Sequence, residues 1–274
     1  MNKKIFLQGK VVIISGASSG IGKATAEVFG RAGASLVLAA RNTQQLDEVV
    51  LSLQKEGIQA IGVKTDVSIE QDCKNLIDVA LSTYGKIDIF INNAGISMRA
   101  LFEDVSLEVL KQVMNINFWG TVYCTKYALP HLLQSKGTLI GISSIAGKKG
   151  LPGRSGYSAS KFAMEGFLEC IRIENRKKGL TVLSVCPGFT ASNIRNSALA
   201  ADGSQQGESP RNEKNMMPAI TVAENILKAV RQQKRDLILT PNGKITVWLN
   251  KWMPAFVDKL VYKHLAKEEN SPFK

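Results

Sequence analysis

Cysteine and histidine are scarce in this chain, and neither is spaced to hold a metal. The four cysteines, Cys73, Cys124, Cys170 and Cys186, lie far apart with no Cys-x-x-Cys, which argues against a zinc knuckle and a disulfide-stapled secreted domain. The two histidines, His131 and His264, have no partners at ligand spacing, so no metal is expected. No apolar run approaches the length that crosses a bilayer, and residues 1–10 lack an apolar signal core. A reducing, cytoplasmic setting is the expectation. Zinc-finger spacing, an aromatic RNA-binding signature and a dense basic arm are also missing. The formal net charge of +12 therefore reads as a generally basic surface, and no nucleic-acid partner is expected.

What the chain does have is rhythm. Short apolar runs at 11–15, 36–40, 60–64, 87–91, 138–142, 180–185 and 236–240 alternate with helical patterns. The helical patterns cover 21–32, 46–55, 71–84, 107–133, 158–177 and 222–231. The stretch 107–133 reads as two helices, with Pro130 near the end of the second. Strands that are apolar without a break are covered on both faces, which predicts a parallel sheet between two helix layers. The expected fold is α/β, a doubly wound Rossmann-type domain of about seven parallel strands spanning residues 1–243. Residues 191–217, rich in Gly, Ser, Gln, Glu and Asn toward their centre, read as a substrate lid or as plain disorder.

Gly16-Ala17-Ser18-Ser19-Gly20-Ile21-Gly22 falls where the first strand turns into the first helix. Glycines there let a backbone approach a pyrophosphate, and the helix N-terminus offers N–H groups and positive potential. A Walker phosphate loop is disfavoured, because Lys23 follows the glycines without the required Gly-Lys-Ser/Thr. The second strand ends in Ala39-Ala40-Arg41-Asn42, with no carboxylate to take the ribose hydroxyls of NAD. Arg41 suits a 2′-phosphate, so NADP(H) is the expected cofactor. Asp66, after the third strand, is a candidate acceptor for the adenine amino group, with Val67 lining its pocket; the alternative is that Asp66 caps a helix.

Tyr157 and Lys161 stand four residues apart, on one face if the run is helical. A neighbouring cation favours the phenolate, so the pair is expected to lower the phenol's pKa and make a proton donor and acceptor.

In these residues the chain resembles the classical short-chain dehydrogenase/reductase family, over residues 7–240. Ser15 to Gly22 looks like its cofactor loop, with Ser15 where Thr is usual; Asn92-Asn93-Ala94-Gly95 resembles its signature after strand four. Asn115, Ser144, Tyr157 and Lys161 match its catalytic set in order and spacing, and Pro187, Gly188 and Thr190 its nicotinamide-side segment. Arg41 matches the pattern of its NADP(H)-preferring members. The narrower likeness is to the branch containing 11β-hydroxysteroid dehydrogenase and related membrane-associated reductases. The resemblance implies hydride transfer between the nicotinamide and a carbonyl or alcohol. Tyr157 is then the general acid/base, and Lys161 a holder of the ribose hydroxyls. Ser144 steadies the substrate oxygen, Asn115 anchors a relay water and Thr190 binds the carboxamide. Gly16, Ser18, Ser19, Gly20, Ile21, Gly22, Asn93, Ala94 and Gly95 would line the dinucleotide. A silent dinucleotide-binding scaffold or sensor is the alternative reading, and a different reaction on the same scaffold a third.

Ile96, Met98, Leu101, Phe102, Leu151, Phe189 and Met216-Met217 are the candidate apolar walls, which point to a medium or large apolar ketone, alcohol or hydroxysteroid-like substrate. Arg99, Arg154 and Arg195 are in range, but none is fixed well enough by sequence to imply a carboxylate. Helices over 105–119 and 157–177 resemble those that pair subunits in the family, so a homodimer or homotetramer is expected. The extension 244–274 carries Ile245, Trp248, Leu249, Trp252, Phe256, Leu260 and Val261 at near-helical spacing with lysines between them, and Pro254 divides it. It packs on its own domain and closes the pocket, covers a partner subunit, or rests on an anionic membrane to which it could deliver lipophilic substrate.

Overall fold

The computed structural model describes residues 6–191, 194–207, 216–268 and 270–273. Within it β1 (Val11–Ser15), β2 (Ser35–Ala40), β3 (Ala60–Lys64), β4 (Ile89–Asn92), β5 (Thr138–Ile142), β6 (Thr181–Cys186) and β7 (Asp236–Ile238) form one sheet. All neighbours are parallel, in the order β3-β2-β1-β4-β5-β6-β7. This is the expected α/β Rossmann-type fold. The chain reverses direction across the sheet between β1 and β4. The crevice outside the C-terminal strand ends at that reversal is where such sheets bind ligands.

The strands are apolar without a break because successive side chains enter different cores. Val12 and Ile14 of β1 face one core and Ile13 the other; Leu36 and Leu38 of β2 divide from Val37 and Ala39 in the same way. The first core is covered by α1 (Gly20–Arg31), α2 (Thr43–Lys55) and α7 (Ala219–Arg231), with Phe29, Leu46 and Ile226 buried in it. The second is covered by α3 (Glu70–Tyr84), α5 (Gly120–Gln134) and α6 (Ser155–Glu174), through Leu76, Leu132 and Leu168.

Two departures from the sequence expectation matter for the site. The segment expected as two helices is α4 (Leu107–Met114) running into α5 through a π-helical turn, Asn115–Trp119. In that turn Gly120 N–H reaches back five residues to the Asn115 carbonyl. Pro130 sits inside α5, four residues before its last, Gln134, near the end as the sequence implies. The other departure is at α6, which begins at Ser155, three residues earlier than the pattern suggests, so Tyr157 belongs to its first turn. After β7 the chain continues as α8 (Pro241–Trp252) and α9 (Pro254–Leu265), divided at Met253 and Pro254 as the sequence implies.

Candidate active site

The β1–α1 turn is built for close approach. Gly16 has φ +64°, and a Cβ there would lie 2.8 Å from the Ala94 Cα; a Cβ on Gly22 would collide with the Gly16 carbonyl. Gly20 also has positive φ. Ser19 is the N-cap of α1, exposed, and makes no side-chain capping bond; Ser18 and Ile21 are half-buried beside it. The first amides of α1 therefore have no competing side-chain acceptor from the cap, and the glycines leave no Cβ between them and a phosphate. These features fit a dinucleotide pyrophosphate.

Ser15 fastens this turn to β4. Its hydroxyl accepts from the N–H groups of Asn93 and Ala94 at 3.0 and 3.1 Å, and donates to the Ile91 carbonyl at 3.3 Å. The Asn93 amide donates to the Ser15 and Gly16 carbonyls, both at 2.9 Å. The Asn92-Asn93-Ala94-Gly95 segment thus braces the glycine turn.

At the end of β2, Arg41 is 59% exposed and its guanidinium lies 3.9 Å from Asp66. Asp66 is drawn into its own turn, accepting from the Ser68 N–H at 3.0 Å and hydroxyl at 2.6 Å. It does not cap α3, whose N-cap is Ile69. Val67 is buried against Gly120, where an added Cβ would stand 2.7 Å from it. Val67 therefore helps seat α5 on the sheet.

Ser144 follows β5; its hydroxyl accepts from the Ala146 N–H at 3.1 Å and lies close enough to the Tyr157 phenol to pull its pKa down. The adjacent Ser143 is turned into the interior beside Gly147. Lys161 is buried, donates to the Ile142 carbonyl at 2.8 Å, and stands 5.8 Å from the Tyr157 ring centre. Ser144, Tyr157 and Lys161 are thus gathered at the C-terminal end of β5. Pro187, Gly188 and Thr190 follow β6 into the same region: the Pro187 carbonyl accepts from the Ile145 N–H at 3.2 Å, and a Cβ on Gly188 would meet Thr240.

Asn115 is not part of this group. It is exposed, whereas Asn117 is buried in the π-helical turn. Two residues apart on a helix point in nearly opposite directions, so only one of the two asparagines can face inward. The Asn117 amide oxygen accepts from the Ile96 N–H at 2.8 Å; its nitrogen donates to the Ile96 carbonyl and the Ser160 hydroxyl, both at 2.9 Å. Gly95 lies between Asn117 and Lys161, with 3.1 and 3.5 Å of room for a Cβ. Asn117 is the asparagine the sequence reading missed. Its signal was a polar residue between apolar Ile116 and Phe118, one helical step from Gly120.

The electrostatics also differ from expectation. Burial raises the Tyr157 phenol above its ordinary value, against the opposing pulls of the nearby Ser144 hydroxyl and the charges of Arg154 and Arg195. The lowering of the phenol expected from Lys161 is overturned by this burial. Burial also brings Lys161 down to about 8, while Glu165 and Cys186 pull it upward. Glu165 is a further residue that sequence reading passed over. One turn beyond Lys161, it accepts from Lys148 at 2.7 Å, from the Ser184 hydroxyl at 2.6 Å and from the Cys186 thiol at 3.1 Å. Burial opposes its charge, but these partners hold its carboxyl below the usual range, and Cys186 is pushed up to about 12.

The wall candidates scatter. Met98 is fully buried in a small core with Val109, Val113 and Leu199, against which Tyr157 and Ile96 pack; Phe102 and Phe189 are exposed. Leu101 and Leu151 are half-buried, as are Met216 and Met217. Of the lid expected at 191–217, residues 192–193 and 208–215 lie outside the described residues. The flanking parts are held in place: Thr190 and Met98 bridge to Met217 and Leu199. The C-terminal helices lie against the loop that follows Ser144. Gly243 abuts Ile145, Asn250 reaches the Lys148 carbonyl, Asp258 pairs with Lys149, and Phe189 rests against His264.

A glycine turn fitted to a pyrophosphate, with half-buried Tyr157 and Ser144 beside buried Lys161 at the neighbouring strand ends, defines an oxidoreductase that binds a nicotinamide dinucleotide. Comparison with known proteins agrees. A family profile described as short chain dehydrogenase matches residues 10–203. Dehydrogenase/reductase SDR family member 7B of Mus musculus is 35% identical over 277 residues, covering 99% of this chain and 86% of the relative. An uncharacterized oxidoreductase, YxnA, of Bacillus subtilis is 36% identical over 262 residues, covering 94% and 72%. Among solved structures, an alcohol dehydrogenase of Thermococcus sibiricus complexed with 5-hydroxy-NADP is 25% identical, covers 84% of this chain and 95% of its own, and superposes with a TM-score of 0.75. A short chain dehydrogenase/reductase of Burkholderia phymatum in complex with NAD shares the fold along both whole chains, at 24% identity and a TM-score of 0.82. The chain belongs to the short-chain dehydrogenase/reductase family.

Proposed function

We propose that the protein uses NADP(H) to reduce the carbonyl of a medium or large apolar ketone, a hydroxysteroid-like one included, and to oxidise the corresponding secondary alcohol. The observation that carries this reading is the grouping of Ser144, Tyr157 and Lys161 at the end of β5, beside the dinucleotide crevice, with Lys161 held on the Ile142 carbonyl 5.8 Å from the Tyr157 ring centre. The dinucleotide, when bound, supplies or accepts the hydride. Tyr157 gives its proton to the substrate oxygen in reduction. The phenol carries its proton at neutral pH and so has one to give. Ser144 donates to the same oxygen as charge develops on it. Lys161 holds ribose hydroxyls and Thr190 the carboxamide. Asn117, and not Asn115, fixes the loop at Ile96 to α6. Arg41 supports NADP(H), being an exposed guanidinium at a strand end without a carboxylate of its own. The neighbour from Thermococcus sibiricus, complexed with 5-hydroxy-NADP, points the same way.

The test has two arms. Wild type should bind NADPH more tightly than NADH, and Arg41→Ala should narrow that preference by about tenfold or more. Tyr157→Phe should cut ketone reduction by roughly 100-fold or more while keeping the melting temperature and dinucleotide binding. Unchanged turnover in Tyr157→Phe would remove the phenol from its role. Dinucleotide binding with a broad ketone and alcohol panel inert would favour the silent-sensor reading.

Two surfaces support the expected partners. Trp119 and Phe162 are exposed on the helical segments expected to pair subunits, as are Leu107 and Ile173, which suits a homodimer or homotetramer measurable by sedimentation. On the C-terminal helices Ile245, Trp248 and Trp252 share one exposed face, as do Phe256 and Leu260, with Lys244, Lys251, Lys259 and Lys263 beside them. This face suits peripheral contact with an anionic membrane. Binding to phosphatidylserine vesicles that salt weakens and Trp252→Glu abolishes would support it; equal binding to neutral vesicles would not.

A further inference from the structure

Three guanidinium groups collect at the substrate end of the sheet. Arg195 donates to the Thr190 carbonyl at 2.7 Å. Arg154 is the N-cap of α6, three residues before Tyr157, and both it and Arg195 act electrostatically on the phenol. Arg99 follows Met98, whose side chain shares a core with Tyr157. The loop carrying Arg99 is tied to the others by Arg99 N–H to the Leu199 carbonyl at 2.8 Å and Ala100 N–H to the Gly153 carbonyl at 3.0 Å.

Arg99 and Arg154 are nearly out of water, with side chains 10% and 12% exposed, and both turn to one carboxylate from the far end of the chain. Glu268, 3% exposed, lies in the turn after α9. One terminal nitrogen of Arg154 donates to both of its oxygens at 3.2 and 2.8 Å, and Arg99 stands 3.7 Å from it. The following residues reinforce the approach: Pro272 and Phe273 lie against Gly153, where an added Cβ would be 3.3 and 3.5 Å from them. Two buried guanidiniums require an anion, and their donor geometry accepts any carboxylate. Glu268 therefore fills a place that an acidic substituent on a substrate could otherwise take.

We infer that Glu268 is a specificity-determining residue: as a built-in carboxylate on the Arg99–Arg154 fork, it reserves the neighbouring pocket for uncharged carbonyl substrates and turns away those bearing a carboxylate. The inference rests on the carbonyl-reduction reading for its substrate, though not for the fork itself. Glu268 acts through the two arginines and is a positioning residue, not a catalytic one.

The test compares 4-acetylbenzoate with 4-methylacetophenone, ketones of matched size that differ in charge. Glu268→Gln should raise the kcat/KM ratio of the acid to the neutral ketone by roughly tenfold or more, and Glu268→Asp, which keeps the charge, should stay near the wild-type ratio. A binding readout stands apart from turnover: benzoate should raise the melting temperature of Glu268→Ala and leave wild type unmoved. If neither the ratio nor the benzoate effect differs between wild type and variants, the inference is overturned. Should the variants fold poorly, recovery of folding by benzoate supports the fork, and its failure refutes it. Wild type inert toward both ketones counts against carbonyl reduction, while benzoate protection of Glu268→Ala would still support the fork.

Discussion

Asn117 and Ser160 are joined by a hydrogen bond of 2.9 Å that ties the wide turn after α4 to the helix bearing Tyr157 and Lys161. Ser160 in turn donates to the Tyr157 carbonyl at 2.8 Å, so the anchor reaches the first turn of α6. The asparagine works through its orientation, because all three of its bonds are made from one buried amide.

Replacing that amide should therefore hurt where replacing its neighbour does not. Asn117→Ala leaves the Ile96 backbone groups without partners and should cost ~1–3 kcal/mol in urea denaturation, together with activity. Asn115→Ala, at an exposed site, should stay within about 0.5 kcal/mol of wild type. Equal effects of the two substitutions would contradict the assignment.

Lys161 predicts a stability difference that depends on pH. Its folded pKa of about 8 lies below the ordinary lysine value of 10.5, so between those limits the unfolded chain holds more protons. Burial of the ammonium thus disfavours folding fully below pH 8, and the penalty fades as pH rises toward 10.5. Lys161→Met should gain relative to wild type below pH 8, by on the order of 3 kcal/mol less whatever its lost hydrogen bond to Ile142 contributed. That advantage should shrink steadily from pH 8 to 10.5. A difference between the two proteins that is flat across this range would show that the ammonium is solvated.

Glu165 has the opposite sign. Its folded pKa is held below the unfolded value by Lys148 and Ser184, so its contribution is present above about pH 4.5 and is lost as pH falls through the folded value. Glu165→Gln should cost ~1.5–3 kcal/mol at pH 7, and that gap should close in acid. Denaturation curves from pH 3 to 7 read it directly; a gap that persists unchanged at pH 3 would sink the assignment.

The braces of the glycine turn make a prediction about rigidity. Ser15→Ala removes the acceptor of the Asn93 and Ala94 N–H groups, and should lower stability by ~1–3 kcal/mol while loosening dinucleotide binding. Gly22→Ala, which drives a methyl into the Gly16 carbonyl, should abolish dinucleotide binding in calorimetry even where the protein still folds. Normal affinity in Gly22→Ala would mean that the turn can relax.

The parts legible in the sequence are those written locally. β5 falls on the apolar run 138–142, because a buried strand needs only its own residues to declare itself, and β3, at the sheet edge, still falls on 60–64. The glycine turn and the Tyr157–Lys161 spacing are local in the same sense. The choice between Asn115 and Asn117 was not, because it depends on a turn one residue wider than an α-helix, which no residue in 115–119 announces. The raised pKa of Tyr157 was hidden because burial is a property of the assembled core. Glu268 was hidden by distance, since even the nearer of its two arginine partners, Arg154, is 114 residues away along the chain.

The π-helical turn at 115–119 has a consequence for how this helix can change. Deleting Phe118 or Trp119 would give a more regular cylinder with better-aligned backbone bonds, and would swing everything before the deletion by roughly 100° against α5. The anchoring amide would then face solvent. Regularity and competence are opposed at this point, and the chain keeps the less ideal helix.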